Sequence, residues 1–176
     1  AGAVSITDAS TDVNTLAVSN AGQSVTFTDS NSFSVGTVDG VVGVSGSTII
    51  LTADAGTITV NENVANTGGG AITLTATGAT SDVSVAAGKS VTSTNTTGAS
   101  AVTFNAGRTI ALNAGALVGT TSGATLSAGT FGTGTGTVTF NAGQAAAGDI
   151  VLGQDSVVRS DTGAIALNAN NALGGT

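Results

Sequence analysis

Three aspartates toward the end of the sequence have the residue type and spacing best suited to chemistry. Asp149, Asp155 and Asp161 follow one another at intervals of six residues. Carboxylates that lie close together serve as general acid and base in glycoside hydrolysis, and carboxylate oxygens are ligands for Ca²⁺. These residues are therefore the candidates for a polysaccharide-active enzyme or a calcium site.

The residues around these aspartates indicate that they lie in turns and do not form a catalytic or calcium-binding site. Each lies within two residues of a glycine, at Gly148, Gly153 and Gly163, and glycine-rich turns commonly carry solvated acids. The chain has no His, Cys, Tyr or Trp, so it lacks a base that titrates near neutral pH and the usual ligands for zinc. We predict no catalytic, cofactor-binding or metal-binding residue and no cofactor, and a β-helical polysaccharide-active enzyme is the least favoured function.

The charge of the chain disfavours further classes of partner. Three basic residues, Lys89, Arg108 and Arg159, stand against ten acidic ones, for a formal net charge of −7. Such a chain offers no basic stripe for phosphates and no aromatic platform for stacked bases, so we predict no nucleic-acid partner. An anionic membrane surface is disfavoured for the same reason. No apolar run approaches the ~18 residues of a membrane span, so none is predicted.

The elements that must position any site are short strands with a recurring frame. In residues 70–77, Gly-Ala-Ile-Thr-Leu-Thr-Ala-Thr, apolar and hydroxyl side chains alternate. The period of two places Ile72, Leu74 and Ala76 on one face and the threonines on the other, as in a half-buried β-strand. The frame recurs at Val4/Ile6, Val25/Phe27, Ile49/Leu51, Val102/Phe104, Val138/Phe140 and Ile165/Leu167.

The intervals between these frames predict the fold. Successive copies start 21 to 36 residues apart, the extremes being Val4 to Val25 and Val102 to Val138. Repeats of this length stack as the rungs of a solenoid, whose narrow core suits a chain of small apolar side chains. We predict an all-β fold, a parallel β-helix (β-solenoid) of about six to seven irregular rungs of 20–36 residues, as one segment over residues 1–176. A β-sandwich adhesin module is the rival fold.

Further strands are predicted between the frames. The additional apolar positions are residues 16–18, Phe33/Val35, Ile58/Val60, Val83/Val85, Val91, Ile110/Leu112, Leu117/Val118, Ile150/Leu152 and Val157. Three Asn-Ala-Gly tripeptides, beginning at Asn105, Asn113 and Asn141, predict corners after strands, because Asn and Gly tolerate left-handed backbone.

The remaining segments are predicted to be irregular. Residues 38–44 contain glycines that indicate bends between short strands, and residues 61–70 indicate a corner that ends in three glycines. Residues 93–100 are predicted to loop out, and residues 119–136 to form an extended or bulged rung.

Stacked rungs place equivalent residues in columns. Thr26/Thr28 and Thr73/Thr75 are predicted to point outward, where β-branched side chains pack well. Asparagines at stacked corners can form an amide ladder of the kind seen in cross-β structures, and Asn105, Asn141 and Asn168 are among the outward positions.

The isolated charged residues have ordinary structural explanations. Arg108 and Arg159 each follow a turn, and we expect either of them to bridge to a carboxylate on a neighbouring rung. Asp8 with Asp12, and Asp29 with Asn31, are predicted to be turn residues; these four positions lie between strands.

Several of these runs resemble a known family. Residues 70–76, 102–107, 108–115 and 163–169 are similar to the rod of filamentous-haemagglutinin-like exoproteins of two-partner secretion, and to autotransporter-type β-helical adhesin rods. The resemblance implies a bacterial surface or secreted fibre, exported across the outer membrane by a partner barrel and used in adhesion or aggregation. The chain has no Pro, so the Asn-Pro motifs of the family's secretion domain are absent and no binding residue is carried over.

The expected function is therefore structural. We expect a non-enzymatic extracellular protein of the bacterial cell surface that forms a rod or filament and serves in attachment, aggregation or biofilm. The expected partners are further copies of the chain, stacked head to tail along the axis because both end frames match the interior, and host or neighbouring cell surfaces or glycans.

Ice binding is the alternative function. Flat arrays of Thr-x-Thr pairs on a β-solenoid can bind ice, and the chain has such pairs at Thr26/Thr28, Thr73/Thr75 and Thr137/Thr139. An ice-binding face needs a regular lattice, and the varying intervals between frames disfavour one. A thermal-hysteresis assay separates an ice-binding protein from a fibre or adhesin.

Overall fold

The computed structural model describes residues 2–8, 10–94, 101–120, 136–160 and 162–170. Within these residues the chain forms strands and no helix, as predicted. All but two of the described strands belong to three parallel sheets, and each full turn of the chain visits the first, second and third sheet in order. The fold is therefore the predicted parallel β-solenoid.

The first sheet has seven strands and contains all seven copies of the frame. In order across the sheet they are Val4–Ile6, Val25–Asp29, Ile49–Ala53, Ile72–Ala76, Val102–Ala106, Val138–Ala142 and Ile165–Ala169. Each begins one rung, and the rungs are numbered 1 to 7 in this order.

The second and third sheets complete rungs 1 to 6. The second sheet consists of Thr15–Leu16, Phe33–Val35, Ile58–Val60, Val83–Val85, Ile110–Leu112 and Ile150–Leu152. The third consists of Val18–Ser19, Val44–Gly46, Val64–Asn66, Ser90–Ser93, Leu117–Thr120 and Val157–Arg159. We call the connection from the first to the second sheet the first corner, that from the second to the third sheet the second corner, and the return to the first sheet the third corner.

The register of the first sheet follows the sequence frame without a slip. Val4 pairs with Val25 and Val25 with Ile49, and Val102 pairs with Val138 although 36 residues separate them. The differences in rung length therefore fall between strands and not within them. Because a shift of one residue would turn every apolar side chain outward, burial of one face holds this register.

The core is a narrow prism between the three sheets. Inward residues of the first sheet in rungs 2 to 6, among them Leu51, Leu74 and Phe104, are 2% exposed or less. The Phe104 and Phe140 rings stack with centroids 4.9 Å apart, one rung above the other. Phe27, Phe104 and Phe140 of the recurring frame all lie in this core and are at most 2% exposed.

The third sheet is where the sequence prediction is least accurate. Residues 16–18 were expected to form a single strand, but Leu16 ends a strand of the second sheet and Val18 begins one of the third. Residues 61–66 were expected to form a corner, but Val64–Asn66 is a strand of the third sheet. Val18–Ser19 and Val64–Asn66 each have one inward apolar residue, which is too few to show the alternation that predicted three-residue strands such as Phe33–Val35.

The bends expected in residues 38–44 are partly a β-hairpin. Thr37–Val38 and Val41–Val42 pair antiparallel, outside the three parallel sheets. Asp39 and Gly40 have φ values of 47° and 82°, as a two-residue hairpin turn of type I′ requires. The hairpin enlarges the second corner of rung 2 and leaves Val42 62% exposed.

The Asn-Ala-Gly tripeptides end strands in two different ways. Gly115 and Gly143 have φ values of 69° and 75°, which is the left-handed conformation expected. Gly107 is not left-handed; a Cβ atom there would lie 1.9 Å from the carbonyl oxygen of Gly78. Glycine is needed at position 107 because two corners approach each other closely.

The loop predicted for residues 93–100 and the bulge predicted for residues 119–136 lie mostly outside the described residues.

Buried polar side chains close the third corner. Asn20, Asn66, Ser93 and Thr120 occupy inward positions there and are at most 7% exposed. The Asn66 side chain accepts hydrogen bonds from the backbone of Gly68 and Gly69 and donates to the Ser47 and Gly70 carbonyls. These bonds satisfy backbone groups that a corner leaves without ladder partners.

We predict that the two faces of the first sheet differ sharply in tolerance to charge. Leu74 is 0% exposed between Leu51 and Phe104, so Leu74→Asp strands a carboxylate among apolar neighbours and costs several kcal/mol. Thr73→Asp, on the outer face, is expected to cost less than about 1 kcal/mol. Urea unfolding of the two variants measures the difference. Equal losses would mean that the inward and outward faces are wrongly assigned.

Candidate functional surface

The outer face of the first sheet carries two polar columns. Along the axis, the first column reads Ser5, Thr26, Ile50, Thr73, Thr103, Thr139 and Ala166, and the second reads Thr28, Thr52, Thr75, Asn105, Asn141 and Asn168. Neighbouring rungs lie ~4.8 Å apart, so each column is a closely spaced row. The varying rung length does not interrupt either row. We expected the varying rung length to disturb a regular outward array. The register of this face is regular, so in that respect the expectation is wrong.

The last three members of the second column form an amide ladder. Asn141 donates to the side-chain oxygen of Asn105 at 2.9 Å, and Asn168 donates to that of Asn141 at the same distance. Asn105 donates in turn to the Thr75 hydroxyl at 3.3 Å. The ladder therefore joins rungs 4 to 7 on the solvent side, as the sequence predicted.

Ion pairs between rungs reinforce the first and second corners. Arg108 contacts Asp82 on the preceding rung, with its Nε and one terminal nitrogen 2.9 and 2.5 Å from the two carboxylate oxygens. Lys89 lies 2.9 Å from Glu62, also one rung below. The expected inter-rung pairing of Arg108 is thus confirmed, while that of Arg159 stays a prediction.

The Arg108–Asp82 pair also organises its corner. Asp82 accepts a third hydrogen bond from the backbone of Thr109 at 2.9 Å. The guanidinium of Arg108 is the main cause that lowers the pKa of Asp82, and burial opposes it. The same contact raises the pKa of Arg108. The carboxylate is therefore stabilised in its charged form by the fold.

Asp149 and Asp155, the two candidate aspartates that the structure describes, lie apart at different corners of rung 6. Asp149 is exposed at the first corner and Asp155 is exposed at the second corner, with strand Ile150–Leu152 between them. The strand holds the two residues ~10 Å or more apart. Asp161 lies outside the described residues. Among the residues that the structure describes, no three acidic side chains gather in a way that could hold a metal ion.

The two acidic turns near the start of the chain differ in burial. Asp8 is exposed and accepts hydrogen bonds from the Ser10 hydroxyl and backbone, which lower its pKa. Asp29 is 0% exposed, and it accepts from the backbone of Asn31 and, on the preceding rung, of Val13, at 2.8 Å each. The prediction that Asp29 is a turn residue is wrong: Asp29 is the last residue of strand Val25–Asp29, and its buried carboxylate links two rungs.

Apolar side chains are exposed on the outermost strands of the described solenoid. Ile6 of rung 1 is 43% exposed, and Ile165 and Leu167 of rung 7 are 45% and 44% exposed. The equivalent residues of rungs 2 to 6 are fully buried or nearly so. These side chains face the axis but have a neighbouring rung of the first sheet on one side only.

Comparisons with known proteins add no assignment. No known protein family matches the chain, and neither a curated protein nor a solved structure matches it. In the described part of the chain, no helix has the length and apolar character needed to cross a membrane.

We predict that the Arg108–Asp82 pair makes stability depend on pH. Because the folded pKa of Asp82 is lowered, the contribution is present above the unfolded pKa of about 4 and is lost as the pH falls through the folded pKa. Asp82→Asn should therefore destabilise the protein at pH 7, on the order of 1 kcal/mol, and by less at acid pH. Unfolding free energies at several pH values measure this.

Asp54→Asn is the matched control for this prediction. The Asp54 side chain is exposed at the first corner of rung 3, and its carboxylate forms no ion pair with the described residues. The control should change stability little at any pH. A loss for Asp82→Asn that is the same at acid and neutral pH would contradict the role given to its charge.

Proposed function

We propose that this chain is a non-enzymatic extracellular structural protein of a bacterial surface, which forms a rod or filament and serves in adhesion. The observation that supports this proposal best is the continuity of the frame through the outermost rungs. Strands Val4–Ile6 and Ile165–Ala169 keep the register of the interior while their inward side chains Ile6, Ile165 and Leu167 remain exposed.

The mechanical part of the proposal follows from the direction of the hydrogen bonds. In a parallel solenoid the inter-strand bonds run along the axis, and here three sheets supply them on every complete rung. Side chains add further links in the same direction, such as the amide ladder and the Arg108–Asp82 pair. A load along the axis is therefore shared by many bonds, as a stiff rod requires.

Head-to-tail stacking is the assembly that suits these ends. A strand with unpaired backbone groups is a template for another strand. The two ends of a solenoid are different surfaces, so contact between copies is heterologous and generates an open filament and not a closed dimer. In a longer parent chain, additional rungs would occupy the same positions.

The surface role rests on composition and on the family resemblance. The outward columns are rich in hydroxyl and amide groups, which stay hydrated. The chain has three basic residues, which limits cleavage by proteases that cut after Lys or Arg. These properties suit an extracellular location and contacts with host cells, neighbouring cells or glycans.

Ice binding is a second candidate because the threonine columns are in register. Thr26 and Thr28 have Thr52, Thr73 and Thr75 as column partners on the next two rungs. Ile50, which is 39% exposed, interrupts the first column, and asparagines replace threonine in the second column from rung 5 onward. The fibre role therefore ranks first, and the thermal-hysteresis assay described above distinguishes the two.

We predict that the purified chain polymerises and that one inward residue controls this. Leu167 is an exposed inward residue of rung 7, whereas its neighbour Ala166 points outward. Both Leu167→Asp and Ala166→Asp add one negative charge, but only the first places it on the inward face, where the core of the next copy would stack. Sedimentation velocity should show polymers for the wild type and for Ala166→Asp, and monomers for Leu167→Asp.

Salt provides a second readout of the same assembly. Each chain carries a formal net charge of −7, so copies repel one another, and screening should lengthen the polymers as ionic strength rises. A wild-type chain that stays monomeric at high concentration and high salt would refute self-assembly and leave the solenoid fold intact.

A further inference from the structure

The first corner varies in length along the axis, and this variation creates a notch. The corner comprises residues 77–82 in rung 4, residues 107–109 in rung 5 and residues 143–149 in rung 6. The short corner of rung 5 is therefore set back between two longer ones. The resulting notch has a volume of about 290 Å³ and is lined by Thr75, Thr77, Asn105, Gln144 and Ala145, among others.

The walls of the notch are tied together by backbone hydrogen bonds. Gly107 donates to the Ala76 carbonyl at 2.8 Å, which joins rung 5 to rung 4. Gln144 donates to the Ala106 carbonyl at 3.0 Å, and Ala145 donates to the Gly107 carbonyl at 2.9 Å, which joins rung 6 to rung 5. The notch is thus formed before a ligand arrives, which lowers the cost of binding.

The polar groups of the notch keep hydrogen-bonding capacity. The Thr75 oxygen accepts from Asn105 at 3.3 Å, which leaves its hydroxyl hydrogen for an acceptor. The Thr77 hydroxyl donates to the backbone carbonyls of Ala53 and Asp54, which leaves its oxygen lone pairs for a donor. Gln144 is exposed, and its side-chain amide can both donate and accept.

No charged side chain lines the notch. Arg108 follows the lining residue Gly107 in the sequence, but its guanidinium is engaged with Asp82. An anionic or cationic ligand would therefore meet no opposite charge here. Hydroxyls and amides beside the exposed methyl group of Ala145 instead suit a neutral ligand that carries many hydroxyl groups on an apolar ring.

We propose that this notch binds one unit of a neutral sugar, a hexose or an N-acetylhexosamine. The hydroxyl of Thr75 and the amide of Gln144 donate to sugar oxygens, the Thr77 oxygen accepts from a sugar hydroxyl, and the Ala145 methyl group packs against the ring. Because the lining has no aromatic side chain, affinity for a single unit is on the order of millimolar. Filaments would present the notch repeatedly and bind glycan chains with avidity.

The use of this notch in attachment rests on the proposed function, whereas sugar binding itself does not. Saturation-transfer difference NMR observes the sugar and works with monomers and polymers alike, so a failure of filament formation leaves this test unaffected. The probes are the methyl glycosides of glucose, galactose, mannose and N-acetylglucosamine, with methyl glucuronide as the charged comparison.

The expected result is saturation transfer to at least one neutral glycoside, with a dissociation constant on the order of millimolar. Gln144→Ala should weaken that binding several-fold, and Ala145→Leu, which fills the notch, should abolish it. The matched control is Gln154→Ala, at an exposed glutamine of the second corner of rung 6, which should bind as the wild type does.

Three results would overturn the proposal. The first is no transfer to any neutral glycoside at about twenty times the expected millimolar constant. The second is binding that both notch variants retain. The third is a preference for methyl glucuronide over the neutral glycosides, because the notch offers no cation to a carboxylate.

Discussion

The parallel register of the first sheet is the constraint on which the rest of the molecule depends. Each inward side chain lies above its equivalent, so Leu51, Leu74 and Phe104 form one buried column while the threonines and asparagines between them form rows on the surface. A slip of one residue would bury the hydroxyl rows and expose the core. The corners do not have to keep this register, so the rungs differ in length at their corners.

The first sheet could be predicted from the sequence because its strands alternate over five residues, as Ile72–Ala76 does. The third sheet could be predicted only in part: its strands at Val91, Leu117 and Val157 were expected, whereas a strand such as Val18–Ser19 contains too few residues to show a period. The buried roles of Asp29 and Asn66 were also missed. Both look like turn residues in the sequence, and only the approach of another rung makes them internal.

Function follows the same division between sheets and corners. The sheets give an axis of hydrogen bonds and exposed apolar side chains such as Leu167 on the outermost strand, which together support the proposed rod. The corners give local variety, including the hairpin at Val41–Val42 and the notch beside Gly107. A rod that keeps its register while its corners change can acquire binding sites without loss of its mechanical role.

Distances along one outward column are the most direct test of the claim that the rungs stack in register. The chain has no Cys, so spin labels can be placed on Thr26 together with Thr103, Thr139 or Ala166, which are three, four and five rungs away. Electron paramagnetic resonance should give distances that grow by ~4.8 Å per rung, although 36 and 27 residues separate the last three sites. Increments that follow chain length, or that differ from one strand spacing, would contradict an in-register solenoid.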